Sequence, residues 1–215
     1  MRTIKVIGKG RLRLRPDAAR ITLTLGGVCP EYGEALRRGA EEAGALSELL
    51  ARFGFAKTDL KTLAFNVESE YEGYSEDGVY RQRFAGYRFS RVLKVEFPSD
   101  NALLGSVLFA LSESPLKPEL RLSYTVSDPE KAKNTLLAGA VKDAGEKARV
   151  LAEAAEVRLG EIQTIDYAWN ENDFEVRPEM SMLAAGAAPK AAFDPDVTPE
   201  DIDVSDEVTV VWEIL

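Results

Sequence analysis

Histidine is missing from all 215 residues of this chain, and cysteine occurs once, at Cys29. The first absence removes the side chain that titrates near neutral pH and the commonest transition-metal ligand, so Ser-His-Asp catalysis, Cys-His catalysis and His-containing zinc sites are excluded. The second excludes an intrachain disulfide and any thiolate zinc or iron-sulfur site built within one chain. Cys29 stands between Val28 and Pro30 with no adjacent charge to activate it, and it reads as a packed residue at a strand end. No apolar run approaches the roughly 20 residues of a membrane-spanning helix. Met1 leads directly into the strand-like MRTIKVIGKG, so the sequence as it stands predicts a cytoplasmic protein, or a periplasmic or secreted one where an export signal has been removed. The Gly8-Lys9-Gly10 run lacks the later Gly-Lys-Ser/Thr of a phosphate loop and is followed by a strand pattern where a helix should begin, which argues against phosphate binding.

What is present is the composition of a globular chain large enough to bury its own core, so neither a metal nor a cofactor is expected. Alternating residues predict a strand over Thr3 to Arg15, kinked or bulged at the Gly8-Lys9-Gly10 run, and a second strand from Ala19 to Leu25 returning beside it after Pro16-Asp17. Tyr32, Leu36, Ala40, Ala43, Leu46, Leu50 and Phe53 fall at helical spacing, with Gly54 placed to terminate the helix. Strands at Lys61 to Tyr71 and Tyr80 to Phe97 read as a long hairpin turning through Ser75 to Gly78. A short helix over Ser99 to Ser112 and a strand from Leu120 to Val126 follow. Next comes a long helix capped by Ser127 or Asp128, with the stripe Leu137, Val141, Ala144, Ala148, Leu151 and Ala155, and with Gly160 as its terminator. A strand at Ile162 to Trp169 and a final one carrying Val204, Val208, Val210, Trp212 and Ile214 complete the chain, the last too apolar for an open edge. This order predicts an α+β fold of antiparallel sheets with helices on one face. It has a single domain over 1–215, approximate halves 1–97 and 98–215, and one long helix in the C-terminal half.

Two regions invite a functional reading. In the hairpin, Arg81, Arg83, Arg88, Arg91 and Lys94 are interleaved with Phe84, Tyr87 and Phe89, while Glu68, Glu70 and Glu72 alternate on the opposing strand. Cross-strand ion pairs, a nucleic-acid surface and a partner surface all use such residues. The formal charge of -9 favours the ion pairs, and no nucleic-acid partner is expected. The long loop 170–203 and the start of the last strand, up to Glu207, hold eleven acids against Arg177 and Lys190 and so carry the whole net charge. The loop reads as a solvated segment, an oxygen-ligand cation site or an arm that docks on another subunit. Its acids lack the spacing and glycine of a calcium loop, and Met180, Met182, Leu183 and Phe193 are apolar residues that a solvated loop does not need.

Several short motifs recur in a distinctive order: IKVIGKG with RPDAARI, DLKT, GYRF at Gly86 to Phe89, AVKDAGEKARVLA at Ala140 to Ala152, LGEI at Leu159 to Ile162, and an acidic loop before VSDEVTVVW. In these the chain resembles the SIMPL-domain family, whose bacterial members include periplasmic immunogenic proteins and proteins linked to oxidative-stress tolerance. The resemblance implies an α+β fold of two intertwined halves, homo-oligomers that can be ring-like, and no established catalytic residues. The expectation is a non-enzymatic, self-assembling protein, with Met180, Met182, Leu183, Phe193 and Trp212 as candidate oligomer contacts. The alternative is a small-anion-binding protein or enzyme using Arg88, Arg91 and Tyr87 of the basic aromatic hairpin.

Overall fold

The computed structural model describes residues 2–76, 78–168, 174–178 and 196–215. The fold is α+β with antiparallel sheets, as the element order predicts. The chain forms two compact units, and they do not divide at residue 97. One contains residues 1–17, 125–176 and 199–215, and the other contains 18–124 and 177–198.

The first unit holds strands β1 (Thr3–Leu14), β6 (Leu159–Asp166), the two-residue β7 (Glu175–Val176) and β8 (Ile202–Ile214), three of them forming a sheet in the order β1-β8-β6, with helix α3 (Pro129–Ala154) packed on one face. Strand β8 is central, which satisfies the expectation for the apolar terminal strand. The predicted kink at the Gly8-Lys9-Gly10 run is absent, since β1 pairs with β8 without interruption from Thr3 opposite Glu213 to Leu14 opposite Ile202. The glycines serve the helix instead. A Cβ at Gly8 would overlap the carbonyl oxygen of Ala140 and lie 2.6 Å from Ala144 Cβ, and one at Gly10 would overlap the carbonyl oxygen of Leu136. Removing two side chains lets strand and helix backbones touch.

The buried line on α3 is Ala132, Leu136, Ala140, Ala144, Ala148 and Ala152, every fourth residue. Two residues of strand rise about 6.7 Å and four of helix about 6 Å, so alternate positions on β1 stay nearly in step with every fourth position on α3. The expected stripe is correct at Ala144 and Ala148 and displaced elsewhere. Leu137 and Val141 flank the core half-buried, while Leu151 and Ala155 are exposed. Asp128 caps the helix by accepting from the Lys131 N–H at 2.9 Å, with Pro129 in the first turn. Its end is closed by Glu156 in the left-handed region, φ 56°, and not by Gly160, which lies in β6 with its Cβ direction filled by Glu213.

The second unit contains β2 (Ala18–Cys29), α1 (Tyr32–Ala51), β3 (Lys61–Glu76), β4 (Val79–Pro98), α2 (Asn101–Glu113) and nearly all of β5 (Glu119–Thr125). Its strands run β3-β4-β2-β5. Strand β2 therefore does not return beside β1. It pairs with β4, from Ala18 opposite Pro98 to Cys29 opposite Tyr87, because its inward residues Ile21, Leu23 and Leu25 are buried with Leu93 and Val95 of β4. Gly54, φ 89°, stands just past α1 as expected. Asp100 caps α2 by accepting from the Ala102 and Leu103 N–H groups at 2.8 and 3.2 Å.

Candidate functional site

The hairpin β3/β4 is longer than the sheet that supports it. Strand β4 pairs with β2 only from Tyr87 onward, whereas its pairing with β3 continues through Tyr71 opposite Phe84 to Glu76 opposite Val79. The outer part is thus a ribbon of two strands, with every described residue from Tyr71 to Phe84 exposed.

The two faces of this ribbon differ. Residues directly opposite in an antiparallel pair share a face, so Tyr71, Gly73 and Ser75 lie with Phe84, Gln82 and Tyr80. No formal charge stands among these six. The other face holds Glu72 with Arg83 and Tyr74 with Arg81. It is neutralised internally, by Arg83 to Glu72 at 3.0 Å and Arg81 to Glu76 at 3.1 Å.

A β-bulge joins the ribbon to the sheet. Glu70 pairs with Gly86 and Tyr71 with Phe84, which leaves Ala85 as the extra residue. Gly86 adopts φ 141°, and a Cβ there would come within 2.5 Å of the Cys29 carbonyl oxygen. The bulge reverses the alternation of β4, so Phe84 and Tyr87 come to one face although their numbers have opposite parity. On that face Tyr71, Phe84, Tyr87 and Tyr32 of α1 form an edge-to-face series with centroid separations of 5.8, 5.2 and 5.6 Å. The same face continues to Phe89 and Phe65, where α1 covers it. Arg38 of the helix stacks on Phe89 at 5.6 Å, and Gly39 lies so close to Phe65 that a Cβ would fall 2.8 Å from its ring. The helix starts at Tyr32. Beyond that residue no described residue covers the aromatic face: Tyr32 is 50% exposed, Tyr71 57%, Tyr80 72% and Phe84 49%.

Arg88, Arg91 and Tyr87, predicted as one surface, do not converge. Arg88 lies on the charged face in a forked pair with Glu70, Nε to Oε2 at 2.8 Å and Nη2 to Oε1 at 2.6 Å. That hydrogen-bonded pair holds the Glu70 carboxyl below, and the Arg88 guanidinium above, their ordinary values. Arg91 is on the helix side, stacked on Phe65 at 5.2 Å and donating to Thr62 Oγ1 at 3.1 Å. The expected ion pairs across the hairpin are thus present, with Glu72 reaching Arg83 and Glu70 reaching Arg88. Among the described residues, two buried polar atoms have no hydrogen-bond partner, Arg91 Nε and the Tyr124 hydroxyl. They belong to β4 and β5, separated by β2 in the sheet, and do not frame a common site.

In the first unit Trp212 is buried beside Val6, Ala140, Ala144, Ala148, Val208 and Val210, so it serves the core of its own chain and offers no contact surface. Met180, Met182, Leu183 and Phe193 lie outside the described residues. Part of the acidic segment belongs to β8, and acids within and just before that strand meet bases of β1: Lys9 to Glu207 at 3.2 Å and Arg13 to Asp201 at 2.8 Å. Asp206 is buried and accepts from the Tyr167 hydroxyl at 2.9 Å; desolvation first, then that bond, raises the Tyr167 pKa. A groove of about 520 Å³ passes over β1 and β8, lined by Lys9, Arg11, Arg13, Asp203 and Ser205, with two of its three bases already paired. Among the described residues no group of three or more acids or cysteines is placed to hold a metal ion, and no helix is long and apolar enough to cross a membrane.

Comparison with known proteins agrees with the motif order. Proteins named "Uncharacterized protein YggE" are similar over 93% of this chain, at 24% identity and 81% coverage in Edwardsiella ictaluri and at 23% identity and 78% coverage in Escherichia coli K12. Among solved structures, the regulatory subunit of aspartate kinase from Thermus flavus aligns over 97% of this chain and 89% of its own. Its identity is 12% and its TM-score 0.18, too low to indicate a shared fold. Residues 4–212 match the family described as SIMPL, protein of unknown function (DUF541), and the chain belongs to that family.

Proposed function

We propose that this SIMPL protein is non-enzymatic and acts as a self-assembling unit whose contact surface is the outer β3/β4 ribbon. The observation that carries the reading is the aromatic face of that ribbon, which continues past the helix that covers the rest of it. An isolated two-stranded ribbon is at best marginally stable in water, and contiguous exposed aromatic surface is characteristic of interaction sites. The opposite face supports the same reading, since its arginines are occupied by acids of the same hairpin and so are not held ready for an anionic ligand. Self-assembly is the property expected from the sequence, here assigned to a different part of the chain. Multi-angle light scattering of the full chain at micromolar concentration tests it: a mass that is a multiple of 23.6 kDa is expected, and 23.6 kDa alone would contradict the proposal.

A further inference from the structure

We infer that the aromatic face of the ribbon packs against the same face of a second copy about a two-fold axis; this rests on the self-assembly reading and specifies its partner and geometry. Three observations lead to the second copy as occupant. The first is charge. Tyr71, Gly73, Ser75, Tyr80, Gln82 and Phe84 carry none, so two identical faces meet without like-charge repulsion, which a self-complementary contact requires.

The second is the behaviour of the free edge. Strand β3 ends its sheet, and the simplest assembly would extend that sheet by pairing β3 with its copy. Glu68, Glu70, Glu72 and Glu76 disfavour it, even with Glu70, Glu72 and Glu76 paired to arginines of β4. In an antiparallel pair of identical strands, one phase sets these acids opposite one another, and the other phase sets the acidic row beside Tyr71 and Ser75 and splits the aromatic face. Contact through the face avoids both arrangements.

The third is area. At the exposures of Tyr32, Tyr71, Tyr80 and Phe84, the four rings offer about two full side chains, roughly 350–550 Å² per copy. A standard interface buries about 800 Å² per partner. Ser75, Gln82 and the ribbon backbone supply further surface. The total sits at the low end of specific interfaces, and the association belongs at micromolar concentration.

Gln82, opposite Gly73, occupies the middle of the aromatic face, and Arg81 is its neighbour on the charged face. Both are exposed, and the native Cys29 is buried, so Gln82→Cys and Arg81→Cys each add one accessible thiol. Treatment of the two full-length variants with a short bis-maleimide is expected to link Gln82→Cys into covalent dimers and to leave Arg81→Cys unlinked. Phe84→Glu, which places like charges within the contact, is expected to lower the light-scattering mass while the circular dichroism spectrum is unchanged. An oligomeric native chain with no linkage through Gln82→Cys, preferential linkage through Arg81→Cys, or full assembly of Phe84→Glu would overturn the face-to-face contact and leave self-assembly standing. A monomeric native chain would overturn both.

Discussion

Asp143 joins helix to strand through two contacts on one oxygen. It accepts from the backbone N–H of Lys9 at 2.7 Å and from Lys147 Nζ at 2.6 Å, while Lys147 also donates to the Ile7 carbonyl at 3.2 Å. These residues occupy polar groups of β1, which ends its sheet, and so blunt an edge. The hydrogen bond from Lys147, followed by that from Lys9, holds the Asp143 carboxyl below its ordinary value. Because the folded-state pKa is depressed, the contribution is complete above the unfolded value of about 4 and is lost as pH falls through the folded value. Asp143→Asn is expected to be less stable than the native chain at pH 7 and to converge with it in acid, a trend that urea midpoints across pH would reveal. A constant difference at all pH values would refute the assignment. This contact could not be read from the sequence, where Asp143 is one of four acids spread along the helix. Phe84 and Tyr87 were obscured for a different reason: strict alternation puts them on opposite faces, and only the extra Ala85 brings them together.

At the scale of elements, the long helix and its cap were legible because Asp128-Pro129 and the recurrence of small residues are local signals. Which small residues face inward was not, since the strand beneath selects a spacing of four. The Gly8-Lys9-Gly10 run shows the same division. The sequence contains the glycines, but their role depends on a helix more than a hundred residues away. Gly8→Ala should therefore destabilise the protein by about 2 kcal/mol or more, because a new methyl would meet backbone that cannot retreat. Gly44→Ala, at an exposed helix position with nothing within 4 Å of the new methyl, should stabilise it by up to about 1 kcal/mol. Equilibrium urea denaturation of the pair checks both signs, and equal effects would argue against the close approach of β1 and α3.

For the whole molecule, the class of fold and the central place of the last strand followed from element order and hydrophobicity, as did the family from motif order. Long-range pairing did not. A turn signal at Pro16-Asp17 suggests a hairpin, yet the strands on its two sides enter different units, and only the burial of β2 against β4 decides between those outcomes. The candidate surface was partly legible, because the hairpin and its charge pairs were predicted while the uncovered aromatic face depends on where α1 begins. That face is the proposed assembly surface of the molecule. Sedimentation velocity of the native chain and Phe84→Glu, side by side at micromolar concentration, tests it most directly. An oligomeric native chain with a variant shifted toward 23.6 kDa is the predicted result, and identical sedimentation of the two would contradict it.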